Sequence, residues 1–263
     1  MEDTLKVYSH EYIYYDWGRC SLINGRWYFG CTTILANGMP TSKGLIKWIA
    51  SIGFEMSEKI KTDSGNNGTL VHNKIEEISN ELLLIDQEKL WDLYDSGQKN
   101  IIQDVLQELY KKVIPLTNLN LEMMVFGWMK FVEENRVFFI QNELQLFSNK
   151  YRVSGTTDAL CFFQFKTPQQ RLVILDYKTS NHLHDTMDMQ LSMYKYCLIE
   201  HGKISPNIED TDMVLLNLLK GDIAYKLHTC EYCFDTFLHA LECAKWWLRR
   251  EYKFNFDIAN KGW

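Results

Sequence analysis

The chain has 263 residues, 46% of them hydrophobic, and a formal net charge of −6 at pH 7. This is enough apolar material for one compact domain, while the acidic balance argues against a protein that coats nucleic acid by neutralising its phosphates. No stretch approaches the roughly 20 apolar residues of a membrane span, and the N-terminus lacks a signal-peptide pattern. We therefore expect an intracellular, cytoplasmic protein with reduced cysteines and no membrane partner.

Residues 1–135 are predicted to form a hairpin followed by a helical region. The dipeptide Asn24-Gly25 is the strongest hairpin signal in the chain. It lies between the aromatic, alternating segments 12–15 and 26–29, which we expect to be the two paired strands.

Helical patterns follow the hairpin. Thr41 or Ser42 can cap the first helix, and the polar run 63–68 is predicted to separate it from the second. Four helices are predicted in this region. The first begins after Pro40 and ends near Lys61, and the second begins near Thr69. The other two span about 98–113 and about 119–134.

From residue 136 the pattern becomes strand-like, because Val, Phe, Tyr, Ile and Thr dominate. We predict three strands within 136–165 and 171–177, a helix over 186–200, strands near 212–219 and 223–229, and a helix over 234–250. This order places a mixed sheet between helices. We expect an α/β fold in a single domain, 1–263, with its α/β core in 136–250.

Two carboxylates and a lysine mark neighbouring predicted strands. Asp176 and Lys178 follow an apolar run and lie two residues apart, so on a strand they project from the same face. Asp158 follows a glycine on the preceding strand. Hard oxygen ligands suit Mg²⁺ or Mn²⁺, so Asp158, Asp176 and the carbonyl of Tyr177 are predicted to bind such an ion. Lys178 is predicted to orient or deprotonate a water that attacks a phosphodiester.

Five further residues are candidates for the same site. Glu143, on the preceding strand, can add a catalytic carboxylate, although a surface position is the alternative. His72 and Glu76 share one helix face, where a lone histidine is more often structural. Gln190 and Tyr194 also share a helix face, for which ordinary packing on the sheet is the alternative.

The cysteines raise a separate possibility. Cys230, Cys233 and Cys243, with Cys20 or Cys31, could supply four thiolates to zinc or an iron–sulfur cluster. We do not expect an iron–sulfur cluster, because Cys243 falls within the amphipathic pattern of the last helix, where a buried thiol is the ordinary explanation.

Taken together, the motifs resemble the PD-(D/E)XK nuclease superfamily in its RecB-like exonuclease branch, which includes phage-type and mitochondrial genome maintenance exonucleases. The matching segments, in the family's order, are 32–35, 43–48, Gly68-Thr69 with His72 and Glu76, 155–158, 176–178, and Gln190 with Tyr194.

The resemblance implies a restriction-endonuclease-like core, a mixed central sheet flanked by helices, with a helical N-terminal region. For the site it implies these roles: metal binding by His72, Asp158 and Asp176, catalysis by Lys178, and substrate or scaffold positioning by Gln190 and Tyr194.

The function predicted is a Mg²⁺- or Mn²⁺-dependent DNA nuclease, an exonuclease acting on ends or single strands in replication, recombination or repair, with a recombination or replication protein as a conceivable partner. Trp48 or the aromatic hairpin is predicted to stack on unpaired bases, and Thr179 and Glu76 to help bind substrate. The resemblance also suggests a phage-encoded protein.

Three alternatives remain. A structure-specific endonuclease would use the same chemistry. A catalytically silent DNA-binding or adaptor protein is disfavoured, because Asp158, Asp176 and Lys178 are all present. A zinc hydrolase built on His72 and Glu76 lacks the second histidine of the zinc-protease helix.

Overall fold

The computed structural model describes residues 9–113, 115–116, 118–180, 182–220 and 224–254. Within these residues, eight strands form one mixed sheet: β1 (His10–Tyr15), β2 (Gly18–Ile23), β3 (Arg26–Gly30), β4 (Phe138–Ser148), β5 (Val153–Phe163), β6 (Arg171–Lys178), β7 (Thr211–Leu218) and β8 (Tyr225–Thr229).

The same residues contain eight α-helices: α1 (Cys31–Gly38), α2 (Lys43–Ile52), α3 (Phe54–Leu83), α4 (Gln87–Asp95), α5 (Ile101–Lys112), α6 (Leu119–Glu134), α7 (Thr186–Glu200) and α8 (Phe234–Glu251). The predicted α/β class, with a mixed central sheet flanked by helices and a helical N-terminal region, is confirmed. No helix in the described part of the chain is long and apolar enough to cross a membrane.

Strand β5 organises the sheet, whose strand order is β1-β2-β3-β5-β6-β7-β8 with β4 paired to β5. One edge of β5 pairs along its length with β4. On the other edge, β3 pairs at Val153 and Ser154, and β6 pairs at 159–163. Residues 155–158 therefore lie between two paired stretches on that edge, where side chains can take over the bonding of the backbone.

Helices cover both faces of the sheet. Ile174 and Leu175 are adjacent in β6, and both are fully buried in opposite apolar clusters. The cluster around Ile174 includes residues of α1, α7 and α8, and the cluster around Leu175 includes residues of α3 to α6. Burial on both faces explains why β6 reads as a continuous apolar run in place of an alternating one.

The N-terminal hairpin prediction was correct for the turn and wrong for one strand. Asn24 (φ 51°) and Gly25 (φ 73°) are both left-handed, as a two-residue hairpin turn requires, but they join β2 to β3. Residues 12–15 belong to β1, which pairs with β2. The segment 18–23 has little β-branched character, and it forms a strand because side chains such as Cys20 and Ile23 are completely buried.

The predicted helix break at 63–68 was also wrong. Helix α2 ends at Ile52 and is capped by Gly53, whose φ of 87° is left-handed, and α3 then continues without interruption through 63–68. Glycine in a helix costs only about 1 kcal/mol. The buried face of the second half of α3, which includes Val71 and Ile75, offsets that cost.

Elsewhere the predicted elements follow the structure closely. Helix α6 coincides with the predicted 119–134, and β4 to β8, α7 and α8 agree within a few residues. Helices α1 and α4 were not predicted, because each is only two to three turns long and lacks a clear apolar period.

Candidate active site

The two acidic motifs meet where β5 and β6 stop pairing. Asp158 Oδ2 accepts a hydrogen bond from the Tyr177 N–H, and Thr157 Oγ1 donates to the Leu175 carbonyl at 3.1 Å. These side-chain hydrogen bonds occupy positions where backbone hydrogen bonds between β5 and β6 would otherwise continue. They hold the Asp158 carboxylate directly beside the end of β6.

Asp176 and Lys178 project from one face of β6 and their charged groups are in contact; 5% and 18% of their side chains, respectively, are exposed. Burial raises the pKa of Asp176 to about 6, against the opposing charge of Lys178. Burial would lower the pKa of Lys178, but the charges of Asp176 and Asp158 more than offset this and raise it. Lys178 is therefore a retained cation, suited to orienting water and stabilising a phosphate.

His72 connects helix α3 to the strand ends. Its Nδ1 lies 3.2 Å from Asp158 Oδ1, and its ring meets the Tyr177 ring edge-on, with centroids 5.8 Å apart. Burial would lower the pKa of His72, but the charge and hydrogen bond of Asp158 raise it overall. A close approach of α3 makes this possible: a β-carbon on Gly68 would lie 2.9 Å from Thr179 Oγ1.

Glu143 adds a carboxylate from β4. The register of β4 on β5 places Glu143 opposite Asp158, and its backbone has φ 45°, a left-handed conformation that costs about 1 to 3 kcal/mol in a non-glycine residue. The residue is exposed, as the surface alternative expected. Partial loss of hydration nevertheless raises the pKa of Glu143 to about 8, with repulsion from Asp158 and then Glu76 adding to it. The sequence does not reveal this backbone conformation, which is typical of functional sites.

Gln190, on α7, links the members of the site. Its Nε2 donates to Tyr194 Oη at 2.7 Å and to Asp176 Oδ1 at 3.5 Å. Its Oε1 accepts a hydrogen bond from Lys178 Nζ at 3.4 Å. The Tyr194 ring lies so close over Gly155 that a β-carbon there would overlap it. Packing and site organisation thus coexist in this helix face.

Part of this group of residues borders an open cleft of about 480 Å³, whose lining does not include Asp158, Asp176, Glu143 or Tyr194. The predicted residues in its lining are His72, Tyr177, Lys178, Thr179 and Gln190. Further lining residues that the sequence analysis did not single out by number are Thr32, Leu35, Ala36, Ser180, Thr186 and Met187. The only sequence signal for Thr32 and Leu35 was the family-like segment 32–35, which ends one residue before Ala36.

Trp48 is a predicted site residue that does not line this cleft. It lies on α2, which buries none of its residues and packs against α3, and its side chain is 37% exposed. A larger groove of about 900 Å³, bordered by α5 and α6, shares no lining residue with the cleft. Neither Trp48 nor this groove therefore belongs to the lining of the cleft.

The donor set fits a hard divalent cation. Asp158 and Asp176 offer carboxylate oxygens, with His72 and Glu143 beside them. Asp176 Oδ2 is buried and accepts no well-directed hydrogen bond from a described residue, apart from its charge contact with Lys178. Crowded carboxylates of this kind are relieved when a cation binds between them.

The four-thiolate arrangement is not formed. All seven cysteines are described and free, and Cys243, which was expected to be buried, is exposed on α8. The helix instead buries the face that carries Phe237, Ala240, Leu241 and Ala244. Among the described residues, the one group of three or more potential metal ligands with closely spaced ligand atoms contains a single thiol, that of Cys230.

Comparison with known proteins bears on the whole arrangement. No curated protein is significantly similar to the chain. The family model of the PD-(D/E)XK nuclease superfamily matches residues 47–254, a span that runs from α2 to the end of the described chain and includes α3 and every strand of the candidate site. Because this match covers most of the sequence, the chain belongs to the PD-(D/E)XK nuclease superfamily.

Proposed function

We propose that this nuclease is a RecB-like DNA exonuclease, dependent on Mg²⁺ or Mn²⁺, that acts on DNA ends or single strands during replication, recombination or repair. Membership of the superfamily supports a metal-dependent nuclease. The observation that carries the proposal is the joining of the two acidic motifs, in which Asp158 bonds the Tyr177 amide beside the Asp176 and Lys178 charge pair.

The metal role is assigned to Asp158 and Asp176, with His72, Glu143 and the Tyr177 carbonyl as additional donors. A divalent ion held by these residues would supply an activated water and would neutralise charge on the phosphate. Lys178 then stabilises the negative charge that develops on the phosphate and orients the attacking water. Gln190 holds the side chains of Lys178 and Asp176 in place through hydrogen bonds at its amide oxygen and amide nitrogen, respectively.

The preference for ends or single strands rests on the N-terminal helices. Helix α2 and the start of α3 expose apolar and aromatic side chains, among them Ile46, Trp48 and Phe54. Lys43 and Lys47 precede Trp48 on the same helix. Unpaired bases can stack on such side chains while lysines contact the phosphates.

We also propose that residues 1–263 work as a single nuclease domain, in which 1–135 supplies the hairpin and helical region and 136–250 the catalytic core. Two contacts support this. Strand β3 pairs with β5 in the same sheet, and α1 packs against α8.

The test uses end-labelled single-stranded DNA, end-labelled duplex and a covalently closed circle, each with Mg²⁺, Mn²⁺ or EDTA. We expect metal-dependent loss of linear DNA with the circle intact, and a fall of about 10²- to 10³-fold in kcat for Lys178→Ala. Lys130→Ala, which removes an exposed lysine on α6, is the matched control and keeps full activity.

Other outcomes distinguish the alternatives. Cleavage of the closed circle would contradict the proposed exonuclease activity and would indicate a structure-specific endonuclease. DNA binding without cleavage under every metal would indicate a catalytically silent adaptor. Full activity in Lys178→Ala would remove Lys178 from the catalytic site.

A further inference from the structure

A second group of metal-ligating side chains lies outside the candidate active site. It consists of Asp188 in the first turn of α7, His228 in β8, and Cys230 just after β8. Their ligand atoms all lie within 4.8 Å of one another, and His228 Nε2 is 3.3 Å from Asp188 Oδ1. A carboxylate, an imidazole and a thiol therefore converge from two separate elements.

Backbone contacts hold this group in place. The Glu231 N–H donates to Asp188 Oδ2 at 3.3 Å, which fixes that carboxylate while Oδ1 faces His228. The Cys230 N–H donates to the Met213 carbonyl at 2.8 Å, which ties the residue to β7. The group is thus organised before any ligand arrives, a property that favours metal binding.

The following loop is also attached to α7. Ser192, one turn after Asp188, accepts a hydrogen bond from the Cys233 N–H at 2.9 Å and donates to the Asp188 carbonyl at 2.7 Å. Segment 230–233 consequently cannot shift without disturbing the helix that carries Asp188.

We propose that Asp188, His228 and Cys230 form a binding site for a zinc-class transition-metal ion, separate from the candidate active site. A mixed sulfur, nitrogen and oxygen set suits Zn²⁺, whereas Mg²⁺ and Mn²⁺ favour oxygen donors. Tetrahedral zinc holds its donor atoms roughly 3.3 to 3.8 Å apart, from the usual zinc–ligand bond lengths. The His228 to Asp188 separation already meets that requirement.

Exposure supports the same assignment. Cys230 is buried at 8% exposure, while the His228 and Asp188 side chains are 46% and 20% exposed. Solvent can therefore reach the ion and complete a fourth position with water, as in zinc sites with three protein ligands. When the ion binds, the Cys230 thiol becomes a thiolate and its proton is released to solvent.

The location indicates what the ion would do. The register pairs Asp176 with Leu215 and Leu215 with His228, so Asp176 and His228 lie on one sheet face, two strands apart, or roughly 10 Å. Asp188 precedes Gln190 by two residues on α7. A bound ion would fasten the end of β8 to the helix turn that presents Gln190 to the cleft.

The test is Co²⁺ titration of the full-length protein after removal of metal with a chelator. Cobalt bound to a thiolate gives a near-ultraviolet charge-transfer absorption, which the oxygen and nitrogen donors of the candidate active site cannot produce. We expect this band at one equivalent of Co²⁺, its displacement by Zn²⁺, and its loss in Cys230→Ser. Cys243→Ser and His239→Ala, which change an exposed cysteine and an exposed histidine of α8, keep the band.

His228→Ala provides a second variant that does not depend on a buried residue. We expect it to weaken Co²⁺ binding at least about 100-fold, because losing a residue that only hydrogen-bonds to a ligand already costs 10- to 100-fold. We expect Zn²⁺ to raise the Tm of the wild-type protein and to leave the Tm of His228→Ala unchanged. A folded wild type without the band, or equal binding in His228→Ala, would overturn the proposal, whatever the DNA-cleavage result.

Discussion

The region where β5 and β6 stop pairing and the N-terminal helices α2 and early α3 differ in which side chains they bury and which they expose. In the strand region, charged and polar groups are buried, with Asp176 of β6 at 4% exposure and Gln190 of the adjoining helix α7 at 9%. In the helices, apolar groups are exposed, with Ile46 at 53% and Phe54 at 70%.

Under the proposed function, this difference separates two tasks. Bond cleavage needs groups fixed to within fractions of an ångström, and a sheet buried on both faces provides that rigidity. Holding flexible, unpaired bases needs accessible surfaces that tolerate any sequence. The two regions meet at Gly68, where α3 passes Thr179 at the edge of the cleft.

The largest effect is expected from Asp176→Asn. It removes one negative charge from the proposed metal site and keeps the shape of the side chain, although one of the two acceptor oxygens that face Gln190 and Lys178 becomes a donor. We therefore expect kcat to fall by about 10³-fold or more. Single-turnover kinetics at saturating Mn²⁺ measures this. The free energy of unfolding, from denaturant titration, should change far less.

The control is Asp212→Asn, on β7, whose carboxylate pairs with Arg171 at the sheet surface. It keeps full activity. Equal losses in both variants would mean that Asp176 acts only through the stability of the sheet.

Gly155→Ala tests how rigid the strand-end region is. The added methyl group overlaps the Tyr194 ring, so we expect a loss of about 1 to 3 kcal/mol in the free energy of unfolding, measured by urea denaturation. Tyr194→Leu in the same chain should recover part of that loss, because the smaller side chain makes room. Purely additive effects would contradict a direct contact between the two residues.

Trp48→Ala tests the exposed helical region. Losing one stacking surface removes about 1 kcal/mol or more of base binding, so KM for single-stranded DNA should rise about fivefold or more. The value of kcat and the free energy of unfolding should stay nearly unchanged. Initial rates at varied DNA concentration make the measurement.

Trp246→Ala, which removes a tryptophan 56% exposed on α8, is the matched control and leaves KM unchanged. Equal KM values for Trp48→Ala and the wild type would place unpaired bases elsewhere on the surface.

The strand-end region could be anticipated from the sequence only in part. The spacing of Asp176 and Lys178 already implies one face of a strand. The contact of His72 with Asp158, 86 residues away, was suggested by resemblance and not by any local pattern. The gap at 155–158 depends on β3 and β6 sharing one edge of β5, which is a tertiary arrangement that no local signal carries.

The helical region shows the opposite failure. The glycines and asparagines of 63–68 are genuine local breakers, yet the packing of Val71 and Ile75 keeps α3 intact through them. Local propensity is a weak preference, and tertiary burial outweighs it over a long helix. The Asp188 and His228 pairing is likewise hidden, because the two residues are 40 positions apart.

Gly65 and Gly68 give the finest comparison, because they lie three residues apart in one helix and differ only in their surroundings. A β-carbon at Gly65 meets nothing within 4 Å, so Gly65→Ala should raise the free energy of unfolding by about 0.5 to 1 kcal/mol through helix propensity alone. At Gly68 the same methyl group would lie 2.9 Å from Thr179 Oγ1, so the gain should shrink or vanish. Urea denaturation measures both variants.

Gly68→Ala should also slow cleavage several-fold, since it pushes α3 and His72 away from the strand ends, whereas Gly65→Ala should cleave at the wild-type rate. Equal stabilisation and equal activity in the two variants would mean that α3 does not need its close approach to β6 to build the site.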